Sequence, residues 1–162
     1  MGFSYTEGVF SRPSLLFRTF AIAEAVSWTL LIAALVLRAT TDLALLVTIA
    51  GGIHGFVFLC YVATSILVAK NNRWRATSTA VAIAAAIVPY ATIPVEIVLH
   101  RRGRLAGDWR LRGTDDPRDH RWHDRLMRVL LRHPRTFAGI AAASIVVVFS
   151  VLLVIGPPGG RA

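Results

Sequence analysis

Hydrophobic residues along this chain fall into four blocks separated by arginine-rich connectors. The second block, at 43–69, contains no Lys, Arg, Asp or Glu, and it is longer than the roughly 20 residues that cross a bilayer as a helix. The other blocks lie at about 17–37, 76–99 and 136–155. This pattern is typical of a multi-span membrane protein. We therefore predict an all-α membrane protein, a small bundle of about four transmembrane helices.

Prolines interrupt the third block near its end. Pro89 and Pro94 lie five residues apart within it, and Glu96 follows two residues later. Proline removes a backbone donor and clashes with the preceding helical turn, so we expect a kink or local unwinding here. In lipid such a break is tolerated only against protein or water. We predict a full span at about 76–99, with a re-entrant segment as the alternative.

The connector at 100–135 is long and carries eleven arginines. Over 118–133 a basic row and an apolar row each recur every three to four residues, which predicts a basic amphipathic helix lying on a charged membrane surface. We assign anionic lipid headgroups to the basic row, which consists of Arg121, Arg125, Arg128 and Arg132. The predicted organisation is an N-terminal tail at 1–13, a three-span core at 14–112, this basic cytoplasmic segment at 113–135, and a fourth span with its tail at 136–162.

Ionisable side chains at bilayer depth are costly and often functional, and the first two spans contain Glu24 and His54. Counted from the connector at 38–42, the two residues lie about 20 and 17 Å deep at a rise of about 1.5 Å per residue. The tight connector makes these spans antiparallel neighbours, so both groups reach nearly the same depth. We predict a Glu24–His54 pair, either an ion pair or a neutral hydrogen bond.

The sequence leaves open what this pair does. It is a structural hydrogen bond that fixes helix register, or it is part of a proton relay or a substrate-binding polar core. A relay needs groups that reach both membrane faces, and one buried pair favours the structural role. Glu96 completes the candidate polar core, and we expect it near the interface in a salt bridge with Arg101 or Arg102.

Small residues indicate where helices pack. Gly51, Gly52 and Gly55 lie in the middle of the second span, and Gly139 and Ala143 lie in the fourth. Glycine is a poor helix former that lets helix backbones approach closely in membranes. We predict helix contacts at these positions, within the bundle or with a partner.

Motifs of catalysis and metal binding are missing: there is no nucleophile elbow, phosphate-binding loop, dinucleotide fingerprint or zinc-protease motif. His120 and His123 lie three residues apart, but zinc needs three or four ligands and these spread around a helix. A bis-histidine haem site would need a partner for His54, and His100 lies at a span end. We predict no metal and no cofactor, and we lean away from an enzyme, leaving lipid chemistry as the weakest alternative.

The net charge of +9 is carried almost wholly by arginine. Such a charge can indicate nucleic acid as a partner, but here the arginines lie beside hydrophobic spans. Anionic lipid headgroups explain them more simply. We therefore expect the lipid bilayer as a partner and no nucleic acid.

The order of several motifs resembles a known family. The segments FRTFAIAEAVSWTLLI, GGIHGFVFLCYV, VPYATIPVE and DWRL resemble bacterial integral membrane proteins that carry a His-Gly motif, catalogued as domain of unknown function 3817 and common in actinobacteria. The resemblance covers about 15–112. It places the family's marks on Glu24, His54, Gly55, Pro89, Pro94 and Glu96. It implies a membrane fold and location, and it implies no particular activity.

These observations favour a multi-pass protein of the bacterial plasma membrane. We predict a non-enzymatic accessory or assembly subunit of a larger respiratory or envelope complex, or a homo-oligomer. The alternative is a small transporter or proton-coupled channel that uses the Glu24–His54 pair. The positive-inside rule places the arginine-rich connector in the cytoplasm. With four spans the basic turn at 70–75 would then lie outside, a conflict that a re-entrant third block would remove.

Overall fold

The structure is a computed structural model that describes residues 10–41 and 43–155. Within these ranges the regular structure is entirely helical, which confirms the all-α class. The helices are α1 (Pro13–Thr40), α2 (Ala44–Asn71), α3 (Ala76–Ala84) with a 3-10 turn (Ala85–Ile87), α4 (Thr92–Arg101), a 3-10 turn (Pro117–His120), α5 (Trp122–Arg132) and α6 (Pro134–Ile155). The chain divides into two compact units at Gly107 and Asp108. This division lies five residues before the expected end of the family core.

Helices α1 and α2 form an antiparallel pair at the centre of the first unit. Each has 28 residues, about 42 Å at 1.5 Å per residue, which exceeds the roughly 30 Å of a bilayer core. Pro13 begins α1 at a position where a missing N–H costs nothing. The helix ends at Thr40 and is capped by Thr41, whose backbone N–H and hydroxyl both donate to the carbonyl of Leu37. The short connector then forces the chain straight back along α1.

The third apolar block is not one continuous helix. Val88 is extended, at φ −103° and ψ 124°, and Tyr90 has a positive φ of 64°. Pro89 explains the break, because a residue before proline is driven out of the helical region and proline itself cannot donate to the helix. Pro94 lies in the first turn of α4, where proline is tolerated. The chain therefore unwinds at Pro89 and does not kink at Pro94.

The part before the break enters the bundle along α2. The Tyr61 hydroxyl donates to the carbonyl of Ala82 at 2.9 Å. Further along, the Trp28 indole donates to the carbonyl of Ala86 at 3.3 Å. Trp28 lies fifteen residues from the start of α1, so this contact brings the 3-10 turn about 22 Å along that helix.

The part after the break returns along α1 to the end where it entered. The Thr92 hydroxyl donates to the carbonyl of Ala21 at 2.9 Å. Past the end of α4, the carbonyl of Arg104 accepts hydrogen bonds from the Trp74 indole at 2.7 Å and the Asn72 amide at 2.8 Å. Both donors belong to the turn that follows α2. The segment 76–101 is therefore a hairpin that turns back inside the bundle, and we call it the re-entrant hairpin.

The re-entrant hairpin corrects the expected third crossing. Three described helices are long and apolar enough to cross a membrane, at Pro13–Thr40, Ala44–Asn71 and Arg135–Ile155. The apolar stretch Ala76–Ile87 is too short to do so alone. The prediction of a small helical bundle is confirmed, but the re-entrant hairpin enters and leaves at one end of the α1–α2 pair.

The second unit begins at Asp108 and contains α5 and α6. Helix α5 ends at Arg132, and α6 begins two residues later at Pro134. Its loop at 108–121 folds onto α5 through a group of charged side chains described below. The sequence predicted both the amphipathic helix and the apolar helix that follows it.

Candidate functional site

Glu24 and His54 are brought together by the antiparallel α1–α2 pair. The Nδ1 atom of His54 lies 3.8 Å from Oε1 of Glu24, so the two groups do reach the same depth. The Glu24 side chain is completely buried, and that of His54 is 13% exposed. Oε1 of Glu24 makes no hydrogen bond among the described residues. The pair is thus a close, buried polar contact in which one carboxyl oxygen lacks a donor among the described residues.

Ser27, which was not among the residues predicted from the sequence, joins these two residues. Its hydroxyl oxygen lies 2.9 Å from Nδ1 of His54 and 3.3 Å from Oε2 of Glu24. It also donates to the Glu24 backbone carbonyl at 2.8 Å. Serine carries a single hydroxyl hydrogen, so it serves one acceptor at a time while its oxygen can accept from a protonated Nδ1. The available signal was its spacing, since Ser27 follows Glu24 by three residues on one helical face.

Aromatic side chains close the site. The Trp28 ring lies 4.4 Å from the His54 ring at an interplanar angle of 52°, and the same indole is held by its bond to the re-entrant hairpin. The Thr29 hydroxyl, one residue on, lies 3.4 Å from the hydroxyl of Tyr90 at the tip of that hairpin. The hairpin tip therefore lies close to Glu24, Ser27 and His54. We call these three residues the polar cluster.

The geometry of the polar cluster differs from that of a hydrolytic triad. In such a triad the serine contacts one imidazole nitrogen and the acid contacts the other. Here Ser27 and Glu24 both approach Nδ1 of His54. Glu24 therefore does not orient the imidazole through its second nitrogen, as the acid of a triad does. What this arrangement can do is hold or exchange a proton between a carboxyl and an imidazole through one hydroxyl.

Glu96 is buried on α4, apart from the polar cluster. Among the described residues it makes no salt bridge with Arg101 or Arg102, although such a bridge was predicted from the sequence. It follows Thr92 by one helical turn, in the direction of the end where the hairpin enters. His100 lies in the last turn of α4 and is exposed. The described residues contain no group of three or more His, Cys, Asp or Glu side chains that could hold a metal ion.

The arginines assigned to lipid headgroups are not equivalent. Arg121, at the N-cap of α5, and Arg125 are exposed, whereas Arg128 is buried. The Arg128 guanidinium donates to the backbone carbonyl of Asp119 and lies 3.5 Å from its carboxylate. Arg132 is exposed and donates through Nε to the carbonyl of Leu111 at 3.0 Å. Arg128 is thus directed into the second unit, away from the basic row.

Asp119 organises this part of the second unit. Its carboxylate accepts from Arg110 at 2.8 Å, and from the Thr114 amide and hydroxyl at 2.9 and 2.7 Å. Asp124 lies nearby, 3.4 Å from the same Arg110 guanidinium and 2.9 Å from Nδ1 of His123. Both carboxylates are buried because the arginine-rich loop folds over them.

Gly51 and Gly139 lie outside tight helix contacts among the described residues. A Cβ atom added to Gly51 or Gly139 would meet no atom within 4 Å beyond its own helix backbone. Gly52 and Gly55 are half-buried, and Ala143 is exposed. The expected packing role of Gly51 and Gly139 therefore concerns surfaces that face outward in this chain.

Comparison with known proteins identifies the family. The model for the family described as Domain of unknown function (DUF3817) matches residues 14–101, more than half of the chain. The chain belongs to this family. The resemblance seen in the sequence motifs is confirmed.

A relative in Streptomyces coelicolor (strain ATCC BAA-471 / A3(2) / M145) bears the name "Putative membrane protein SCO5905". It is 40% identical over 99 residues, which cover 59% of this chain and 12% of that protein. The match thus spans only a small part of the relative's length. No solved structure matches the chain. Together with the three helices of spanning length, the family and this relative make the chain a membrane protein.

Proposed function

We propose that this protein is a non-enzymatic accessory or assembly subunit of a larger plasma-membrane complex, respiratory or envelope-building, or else a homo-oligomer. The observation that carries the proposal is the exposure of the apolar helix α6. Its apolar window has a mean hydropathy of 2.8, and none of that window is buried within the chain. Within the second unit such a helix gains little from packing, and most of its surface is left for lipid or for another helix.

Two further observations support an assembly role. Gly139 has open space around its missing side chain, which allows close approach of a second helix backbone. In the Streptomyces relative, the matched region is 12% of a longer polypeptide, so the family module is joined there to much additional sequence. A module that is covalently joined to other segments in one protein is a reasonable subunit in another.

The test is recovery of the protein from its native membrane in mild detergent, followed by mass spectrometry. We expect a stoichiometric complex that Gly139→Leu weakens, because leucine separates closely packed helices. Val148→Phe is the matched control, since Val148 lies on the opposite side of α6 and is also exposed. Recovery of the chain as a monomer, or equal loss with both variants, would contradict the proposal.

A second candidate is a small transporter or proton-coupled channel, and the polar cluster favours it. Among the described residues, no donor reaches one completely buried carboxyl oxygen of Glu24, which lies next to an imidazole. Such an arrangement is costly in free energy, and ionisable groups at bilayer depth are often functional. Proteoliposome flux measurements test this function. We expect Glu24→Gln and His54→Ala to abolish any flux that the protein supports, and Glu96→Gln to retain it. Unchanged flux in the first two variants would eliminate the relay.

The re-entrant hairpin begins and ends at one end of the α1–α2 pair, which we call the basic end. We also propose that the basic end faces the cytoplasm. Eight of the nine Lys and Arg residues of the first unit lie near this end, and Arg38 is the exception at the other. The eight are Arg12, Arg18, Lys70, Arg73, Arg75, Arg101, Arg102 and Arg104. Because the re-entrant hairpin keeps both basic connectors on one side, the positive-inside rule is satisfied without conflict. Anionic lipid headgroups are the partner that we propose for these groups and for the exposed arginines of α5.

A further inference from the structure

Helix α5 presents its apolar face outward. Trp122 is 75% exposed, Leu126 49% and Val129 54%. The spacing of four and three residues aligns the three side chains along one side of the helix. We call this row the Trp122 stripe. Its exposure is notable because the opposite side of α5 buries charged groups.

The charged side of α5 is held inward by specific bonds. Asp124, Met127 and Arg128 are buried, and Arg128 is bound to Asp119 in the loop that folds over the helix. An ordinary water-soluble helix buries its apolar side and exposes its charges. Here the ion pairs fix the reverse orientation, so the Trp122 stripe cannot turn inward without breaking them. The stripe therefore requires an apolar environment outside the unit.

Chain continuity places α5 next to a bilayer. The spanning stretch Arg135–Ile155 has 21 residues, about 32 Å as a helix, against a hydrocarbon core of roughly 30 Å. Helix α6 has almost no length to spare, so its first turn lies at the membrane boundary. Helix α5 ends only two residues before α6 begins. The stripe is consequently within one short helix length of the headgroup layer.

The charges beside the stripe match an anionic surface. Arg121, Arg125 and Arg132 are exposed and lie along one edge of the stripe on the helical wheel. Tryptophan is the side chain that favours the membrane interface most clearly, with an apolar ring and a polar N–H. An apolar row with arginines on its edge is the pattern of a helix that lies in the interfacial plane.

We propose that α5 lies in the bilayer interface, with the Trp122 stripe inserted among the upper acyl chains and with Arg121, Arg125 and Arg132 on anionic headgroups. Arg128 takes no part in lipid contact and instead holds the orientation of the helix. This inference rests on the proposed headgroup contact and adds which residues enter the lipid. It also separates one of the four arginines of the basic row from the other three.

Spin-label accessibility in the full-length protein tests the proposal. Single cysteines at Leu126 and Val129, in a Cys60→Ser background, are labelled and the protein is placed in nanodiscs of zwitterionic or anionic lipid. Collision with oxygen reports lipid, and collision with a water-soluble nickel chelate reports solvent. Asp115→Cys in the exposed loop is the aqueous reference, and Val148→Cys within α6 is the lipid reference. These positions leave the buried charged group intact.

We expect labels at 126 and 129 to favour oxygen over nickel, between the two references, and to shift towards lipid in anionic nanodiscs. Leu126→Asp, which places a charge in the stripe, should move the label at 129 towards water. Labels as solvent-accessible as the one at 115 would overturn the proposal. Labels shielded from both reagents would overturn it too, since they would indicate a protein covering the stripe. Labels at the same depth in zwitterionic and anionic nanodiscs would contradict the contact between the arginines and the headgroups. The insertion of the stripe would still be supported.

Discussion

The indole N–H of Trp74 donates to the backbone carbonyl of Arg104 at 2.7 Å, although the two residues are thirty positions apart. Between them lies the whole re-entrant hairpin. The bond joins the turn after α2 to the segment after α4, so the chain leaves the bundle at the end where it entered. A third complete crossing would have placed these groups on opposite sides of a bilayer about 30 Å thick.

Membrane topology follows from this bond. In a Cys60→Ser background, we expect Thr77→Cys and Asp115→Cys to react with an impermeant maleimide from the same side, and Thr41→Cys from the other. Thr77 lies in the first turn of α3, where the hairpin begins, and Asp115 follows the hairpin in the chain. Thr41 lies in the connector between α1 and α2. With the basic end in the cytoplasm, intact cells should label Thr41→Cys alone. Reaction of positions 77 and 115 from opposite sides would mean that the hairpin crosses the membrane.

The Tyr61 hydroxyl should contribute measurably to hairpin stability. Tyr61 is completely buried and donates to Ala82, so Tyr61→Phe removes one hydrogen bond at almost constant volume. We expect a loss of about 1 kcal/mol in the free energy of unfolding, the usual net value of such a bond. Thermal or denaturant unfolding in bicelles measures it. Tyr90→Phe is the control, because Tyr90 is exposed and its 3.4 Å contact with the Thr29 hydroxyl is long and exposed as well. Its loss should change stability by less than about 0.5 kcal/mol.

Glu24 and His54 should be energetically coupled. A double-mutant cycle with Glu24→Gln and His54→Ala is expected to give an interaction energy of about 1 kcal/mol in the free energy of unfolding, as groups in one hydrogen-bonded network do. The same cycle with Glu96→Gln replacing Glu24→Gln should be additive within about 0.5 kcal/mol, since Glu96 makes no described contact with the cluster. Additivity in the first cycle would show that the 3.8 Å approach carries no stabilising interaction.

Arg128 and Arg125 should differ sharply in their effect on the second unit. Arg128→Gln leaves Asp119 with one cationic partner fewer in a buried site, and we expect a destabilisation of about 2 kcal/mol, below the full cost of breaking a buried pair because Arg110 remains. Arg125→Gln removes an exposed charge and should cost less than about 0.5 kcal/mol. Amide hydrogen exchange across 110–132 provides the measurement. Equal protection in both variants would argue against the buried role of Arg128.

Much of the membrane architecture was readable from the sequence. The lengths of the apolar blocks predicted α1, α2 and α6, because spanning a hydrocarbon core imposes a minimum helix length. The equal depth of Glu24 and His54 followed from counting along two antiparallel helices, since the rise per residue is fixed. The amphipathic row over 118–133 predicted α5, because the helical period repeats in the residue pattern. Each of these features depends on local composition and regular geometry.

Tertiary structure decided the rest. Pro89 signals a break, but only the hydrogen bonds of Thr92 and Trp74 determine that the chain turns back at that point. Hydropathy has no directional information, so a hairpin and a span give the same profile. Arg128 and Arg125 also have the same chemistry in sequence. Only the loop carrying Asp119 determines which one is buried, because a buried carboxylate attracts the guanidinium that it can reach.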